Sequence, residues 1–265
     1  MAGQVRLAAR GAVARVTLSH PGKLDAMSRA MWRELREAFT AIQESGSFRC
    51  AVVAGENGGF CAGGDIAEYP SFRFHPESLR RFHEEEVWGG LAAMLACEVP
   101  IVAEIEGACM GAGLEIACCC DIRIAGTAAR FGAPIARLGF PMAPREAQLV
   151  AAVAGEATLR EMLLEAVQLD AREMKARGFL QRVVPNEDLA TEVEATTARI
   201  AQLAPQAARM NKRILRRIAG AAADAPPADL LERAYDYATS TEHREGIAAF
   251  LEKRPPRFQA GPAKK

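Results

Sequence analysis

Two short glycine-bearing stretches decide the fold of this chain: Phe60-Cys61-Ala62-Gly63-Gly64-Asp65-Ile66 and Gly107-Ala108-Cys109-Met110-Gly111-Ala112-Gly113-Leu114-Glu115-Ile116. Each follows an apolar, strand-like run and precedes a helical one. A strand that ends in small residues and turns into a helix leaves backbone N–H groups unpaired and lets another molecule approach the main chain. Two such turns can direct two N–H groups at one oxygen atom and stabilise negative charge that develops there. The pair therefore predicts an oxyanion hole.

Strand patterns alternate with helix patterns up to about residue 135, which predicts an α/β fold with a mostly parallel sheet. Residues 5–9 and 13–18 flank a glycine and predict a β-hairpin. Asp65 followed by Glu68 has the form of a capping box. Ser28 can cap a helix that runs to about Ser45, whose apolar face consists of Met31, Leu35, Ala38, Phe39 and Ile42. Further strands are predicted at residues 50–54, 100–105 and 121–125, and a further helix at residues 79–96.

The last third of the chain has a different pattern. Helices are predicted near residues 145–153, 157–165, 171–177, 189–203, 206–219, 229–239 and 241–252. Residues 179–184 form the one apolar run typical of a strand, and residues 220–227 read as a loop with Gly220 at a helix C-terminus. This part of the chain is therefore predicted to be a helical appendage.

Composition narrows the class of function. Lys plus Arg and Asp plus Glu number 33 each, so no global field recruits nucleic acid or an anionic membrane. The N-terminus has no export signal and no apolar run is long enough to span a bilayer. Seven cysteines, including three in a row, suit neither a disulfide framework nor a zinc site. We expect a cytoplasmic protein without metal, and a solvated or phosphate-facing basic helix formed by Arg209, Lys212, Arg213, Arg216 and Arg217.

These motifs resemble the crotonase, or enoyl-CoA hydratase/isomerase, superfamily over nearly the whole chain. The resemblance rests on residues 21–28, 60–66, 107–115 with 120–122, 131–134 with 138–139, and 244–254. It implies an α/β, crotonase-like (ClpP/crotonase) β-β-α superhelical core over residues 1–200. A C-terminal helical oligomerisation or lid region would occupy residues 201–265. It also implies a homotrimer or a hexamer of two trimers, with apolar faces to cover at Leu159, Met162, Leu163 and Leu164.

The resemblance implies an enzyme of fatty acid metabolism that acts on an acyl-CoA thioester and needs no cofactor beyond the coenzyme A of its substrate. The N–H groups of Gly64 and Ala112 would hold the thioester oxygen. Glu115 would be the catalytic acid or base, because an unused buried carboxylate is costly. The implied substrate-binding residues are Lys23, Ala62, Gly64, Asp65, Ile66, Ile135 and Lys253.

One position departs from the family pattern. Hydratases that the chain resembles carry a second glutamate where this chain has Ile135, and many isomerases use that same glutamate. Possible substitutes are Glu146, otherwise a residue that complements the helix dipole, and the run His83-Glu84-Glu85-Glu86, otherwise a solvated face. Without a substitute, hydration is expected to be slow and Ile135→Glu to raise it.

The reaction therefore stays open between hydration, isomerisation, decarboxylation and thioester hydrolysis, with a non-catalytic acyl-CoA binder as the other class. Decarboxylating members place a histidine or a tyrosine at positions that hold Gly64 and Met142 here.

Overall fold

Nine strands form two sheets in the computed structural model, which describes residues 2–56, 58–219 and 240–258. In chain order the strands are β1 (Gln4–Arg10), β2 (Val13–Ser19), β3 (Cys50–Gly55), β4 (Ile101–Ile105), β5 (Ala108–Met110), β6 (Ile122–Gly126), β7 (Arg130–Gly132), β8 (Gln168–Asp170) and β9 (Arg182–Val184). The main sheet has the order β1-β2-β3-β4-β6-β9. Its β1–β2 pair is the antiparallel hairpin predicted from sequence, and the other pairs are parallel.

The second sheet is small, with the order β5-β7-β8. Strand β7 pairs with β5 in parallel and with β8 antiparallel. Each of these strands has three residues, which is too short for an alternating pattern to be recognised. The sequence therefore predicted none of them, although β5 is the strand that leads into the second glycine turn.

Helices surround the two sheets. They are α1 (Arg29–Ser45), α2 (Pro76–Arg81), α3 (Trp88–Ala96), α4 (Ala112–Cys119), α5 (Pro144–Ala154), α6 (Glu156–Arg160), α7 (Ala171–Ala176), α8 (Leu189–Ala201), α9 (Pro205–Ala219) and α10 (Thr241–Leu251). A π-helical segment, Phe82–Val87, joins α2 to α3, and a second, Glu161–Glu165, follows α6. Short 3₁₀ helices span Ile66–Ser71, Pro134–Leu138 and Asn186–Asp188. π segments often occur at functional sites, and the first of these carries His83.

Helix α1 illustrates how sequence sets local structure. The Ser28 hydroxyl accepts a hydrogen bond from the Met31 N–H, and Gly46 ends the helix in the left-handed region. The predicted apolar face is confirmed, with Trp32 added to it, and it is buried against the core.

The last third of the chain is not purely helical, so that prediction is wrong in part. Strand β9 extends the main sheet beside β6, and β8 extends the small one. Only residues 182–184 of the predicted strand at 179–184 pair. The predicted loop at 220–227 and helix at 229–239 lie outside the described residues, and the division at residue 200 stays a prediction.

Most of the basic side chains of helix α9 contact the protein rather than solvent, so the expected solvated basic helix is wrong for these residues, although Arg217 is exposed. The Lys212 ammonium lies 2.6 Å from the Val99 carbonyl oxygen and 2.7 Å from Asp121 Oδ2. Arg216 donates to carbonyl groups at the end of α3, among them that of Cys97 at 3.2 Å. The last carbonyls of a helix have no intrahelical partner and carry partial negative charge, which explains why cations occupy this place.

Two of the apolar residues that we expected neighbouring subunits to cover are buried within the chain itself. Leu159 and Met162 are buried, whereas Leu164 is 82% exposed. All seven cysteines are buried and free. No helix in the described part of the chain is long and apolar enough to cross a bilayer.

Candidate active site

The two glycine turns are hydrogen-bonded to each other. The Cys61 N–H donates to the Ala108 carbonyl at 2.8 Å, and the Met110 N–H donates to the Cys61 carbonyl at 2.9 Å. A Cβ on Gly113 would lie 2.4 Å from the Cys61 oxygen, so only glycine allows this approach. The fold therefore brings together two segments about forty residues apart, as the sequence predicted.

Two residues with unpaired backbone N–H groups line one cavity of about 320 Å³. Gly64 and Ala112 both line it, and neither N–H donates to any acceptor within the described residues. Ala112 is the first residue of α4, where the helix dipole is positive. Positive φ angles at Gly63 (+115°) and Gly111 (+48°) set the backbone direction just before each donor. An oxygen bound beside these two residues could accept from both N–H groups.

Glu115 lies in the first turn of α4, buried, and its side chain lines the same cavity. Burial raises the pKa of this carboxyl to about 8, and the neighbouring Glu146 carboxylate adds to the rise. A carboxyl group with a pKa near neutrality can both donate and accept a proton at physiological pH.

A second proton-transfer group lies on the wall of the cavity. His83 lines the cavity, and its Nδ1 is 3.1 Å from Glu146 Oε1. A carboxylate accepts hydrogen bonds, so Nδ1 is the donor in this contact, and the tautomer with its proton on Nδ1 has Nε2 as its basic nitrogen. Nε2 has no hydrogen-bond partner in the part of the chain that the structure describes.

These positions confirm one structural interpretation of the sequence and correct another. Glu146 is in the first turn of α5 as expected, and it is also buried and paired with His83. The run at residues 83–86 is not simply a solvated face, because Glu86 pairs with Arg29 at 2.5 Å. Only Glu84 and Glu85 are exposed.

The predicted capping box at Asp65 is also wrong. Asp65 Oδ1 accepts from the Ala67 N–H at 3.2 Å, but Glu68 instead accepts from the Arg29 N–H at 2.8 Å, at the start of α1. Lys23 Nζ lies 2.6 Å from Asp65 Oδ2. The lysine is thereby tied to the first turn, and its ammonium already has a counter-ion.

The predicted site residues divide into two groups. Those that line the cavity are Ala62, Gly64, Ile66, Ala112, Glu115 and Ile135. Lys23, Asp65 and Lys253 are not among the lining residues, and Lys253 is exposed. No group of three or more His, Cys, Asp or Glu side chains suited to a metal occurs in the described ranges.

Sequence reasoning missed five aromatic or basic lining residues, which are Trp32, Tyr69, Arg73, Phe82 and Phe140. The Tyr69 hydroxyl packs on Gly64, where an added Cβ would lie 2.2 Å from it. Burial raises the pKa of Tyr69. The only available signal was a loop containing aromatic residues and proline after the first turn.

The raised pKa of Glu115 predicts how stability depends on pH. The folded pKa, about 8, exceeds the unfolded value of about 4.3. The stability from the protonated carboxyl is therefore complete below the unfolded value and is lost as pH rises through the folded value. Glu115→Gln does not titrate, so its advantage in free energy of unfolding over wild type should grow by a few kcal/mol between about pH 5 and pH 8.5.

Urea unfolding of both proteins at the two pH values measures this difference. Glu156→Gln is the control, because Glu156 is exposed and, among the residues that the structure describes, pairs only with Arg160 one turn away. An equal gap between Glu115→Gln and wild type at both pH values would refute the raised pKa.

The chain is similar to known proteins over most of its length. The family model for enoyl-CoA hydratase/isomerase matches residues 8–261. An enoyl-CoA hydratase/carnithine racemase from Magnetospirillum magneticum is 36% identical, with a TM-score of 0.92 over 97% of this chain and 96% of its own. An enoyl-CoA hydratase subunit I from Geobacillus kaustophilus is 29% identical, with a TM-score of 0.85 over 97% and 98%.

A relative from Mycobacterium bovis, named "Probable enoyl-CoA hydratase echA8", is 33% identical over 246 residues, which are 92% of this chain and 93% of the relative. The α/β crotonase fold expected from the motifs, with two sheets and C-terminal helices, is confirmed. With its full-length match to the family model, the chain belongs to the enoyl-CoA hydratase/isomerase family.

Proposed function

We propose that this protein is an acyl-CoA-transforming enzyme, and that hydration of an enoyl-CoA is the reaction its site supports best. The observation that carries the proposal is the placement of Glu115 in the same cavity as two unpaired N–H groups. Donors of that kind stabilise an enolate oxygen, and a carboxyl group beside them can exchange a proton with the adjacent carbon.

The thioester oxygen would accept from the N–H groups of Gly64 and Ala112. Negative charge grows on that oxygen as the enolate forms, so the donors bind the transition state more strongly than the substrate. The positive end of α4 acts in the same direction. Loss of one donor in such a site typically lowers kcat by about 10²–10³-fold.

Two groups would divide the proton transfers of hydration. Neutral His83 takes a proton from water at Nε2 while the water oxygen bonds to the β-carbon. The double-bond electrons move toward the thioester oxygen, and protonated Glu115 then gives its proton to the α-carbon. Glu146 holds the imidazole ring and stabilises its positive charge, which makes it a positioning residue.

In this assignment the His83–Glu146 pair takes the role of the second glutamate that the chain lacks. Ile135 lines the cavity as an aliphatic group, and the His83–Glu146 pair supplies the base that a glutamate at position 135 would provide. Isomerisation, decarboxylation and thioester hydrolysis use the same oxyanion donors. They differ in whether water or a carboxylate takes part.

A panel of acyl-CoA thioesters with mass spectrometry of the products tests the proposal. Addition of the mass of water to an enoyl-CoA is the expected result. Loss of carbon dioxide, release of free coenzyme A, or a product of unchanged mass with a different chromatographic retention, as a double-bond shift would give, would each replace hydration by another reaction of this family. Tight binding of thioesters without turnover of any would identify a non-catalytic binder.

We also propose that the protein assembles as a homotrimer or as a hexamer of two trimers, and that it works in the cytoplasm in fatty acid metabolism. The exposed Leu164 supports assembly, because a large apolar side chain at that exposure favours a covering surface. Lys253 would then serve a phosphate of coenzyme A at its own or a neighbouring site.

A further inference from the structure

Arg73 is a cation in the cavity wall that lacks a counter-ion. Its side chain lines the cavity with Tyr69 and Phe140. Its Cζ lies 4.7 Å from the ring centroid of Tyr69 and 3.7 Å from that of Phe140. No carboxylate in the described ranges pairs with it, and its guanidinium makes no hydrogen bond there.

Other arginines of the chain that are comparably buried have acceptors. Arg29 binds Glu86 through two nitrogens, and Arg123 donates to three backbone carbonyl groups. Burial lowers the pKa of Arg73, and only the Tyr69 hydroxyl acts against that shift. A partly desolvated guanidinium without an acceptor is unfavourable, and a bound anion would remove that cost.

The position of Arg73 relative to the oxyanion donors indicates which part of a ligand it would meet. The 3₁₀ helix Ile66–Ser71 leads from Gly64 to Arg73, and Tyr69 lies between them. The Tyr69 hydroxyl packs on Gly64, and the Arg73 guanidinium carbon lies 4.7 Å from the centroid of the same ring. Tyr69 therefore contacts both the first glycine turn and Arg73, so a ligand held at Gly64 would reach Arg73 along the Tyr69 ring.

We propose that Arg73 forms an anion subsite at the far end of the cavity, and that the substrate's acyl group ends in a carboxylate. The substrate class is the half-thioesters of dicarboxylic acids. The guanidinium fork matches a carboxylate with two parallel hydrogen bonds, and the Tyr69 and Phe140 rings hold it in place. This proposal rests on the proposed function, since it assumes that the thioester oxygen binds at Gly64 and Ala112.

Calorimetric binding of saturated thioesters, which hydration does not consume, tests the subsite. Glutaryl-CoA is compared with valeryl-CoA and adipyl-CoA with hexanoyl-CoA, so each pair has equal chain length. Wild type should bind at least one dicarboxylic member about ten- to a hundredfold more tightly than its neutral partner. Equal affinity within both pairs would overturn the proposal without any variant.

Variants then assign the preference to Arg73. Arg73→Met should remove most of the preference and leave the neutral thioesters within about threefold of wild type, while Arg73→Lys should retain part of it. Arg80→Met is the matched control, because Arg80 is an exposed arginine outside the cavity lining. Its affinities should equal those of wild type.

The outcomes separate the two proposals. Equal weakening of both members of a pair, and of free coenzyme A, in Arg73→Met would make Arg73 a contact to the coenzyme and overturn the subsite. Failure of every thioester to bind wild type would refute the proposed function itself. Binding of neutral thioesters with no preference for the acidic ones would refute only the subsite.

Discussion

Replacing Glu115 with glutamine should lower kcat for the best thioester of the panel by about 10²–10⁴-fold, the usual contribution of a positioned acid or base. Glutamine keeps the shape of the side chain and removes its proton chemistry. Because the oxyanion donors are backbone groups, KM should change much less than kcat. Steady-state kinetics of the purified variant measures both constants.

Glu156→Gln is the matched control, since it removes one carboxylate at an exposed site outside the cavity lining. Its kcat should equal that of wild type. A Glu115→Gln variant that turns over at the wild-type rate would remove this residue from the reaction. A variant with unchanged kcat and raised KM would make Glu115 a binding residue.

The second large effect concerns His83. His83→Gln can still donate to Glu146 but has no basic nitrogen, so hydration should fall by about 10²–10⁴-fold. Adding Ile135→Glu to that variant should restore part of the rate, because it places a carboxylate where the resembling hydratases have one. The rate of water addition to the best enoyl-CoA is measured in wild type, both single variants and the double variant.

The double variant shows whether His83 replaces the glutamate that is missing at position 135 or whether the site has no replacement for it. If His83 is the second proton-transfer group, Ile135→Glu alone changes hydration little and rescues only the His83→Gln background. A large gain from Ile135→Glu in wild type, with His83→Gln unchanged, would mean that no substitute exists. The recovered rate should stay below a full hydratase level, since the new carboxylate enters a partly desolvated aliphatic site.

Local patterns predicted much of this fold. The hairpin, the capped helix α1 and the strands β3, β4 and β6 each depend on contiguous residues, and all lie where their patterns placed them to within one or two residues. The two turns and Glu115 were recognisable for the same reason. Glycine and other small residues at a strand end allow a tight turn and a close approach to the backbone, and this can be recognised without knowledge of the tertiary structure.

The partners of the site depend on contacts that no local pattern encodes. His83 and Glu146 are 63 residues apart, and Glu68 meets the start of α1 from 39 residues away. Charged residues in a run usually read as solvent-exposed, because burial of a charge is favourable only when a partner is supplied elsewhere in the fold. Lys212 is a further example, since its partner Asp121 lies between α4 and β6, far away in the sequence.

Exchange of the α-protons of a saturated acyl-CoA with deuterium from the solvent tests the central claim most directly, because it reports enolate formation whatever the overall reaction is. Removal of a proton needs the Glu115 carboxylate, whose pKa is about 8. Wild type should therefore incorporate deuterium at a rate that rises as pH passes through that value. Glu115→Gln should lose the exchange, whereas exchange at the wild-type rate in Glu115→Gln, or none in wild type, would contradict the account.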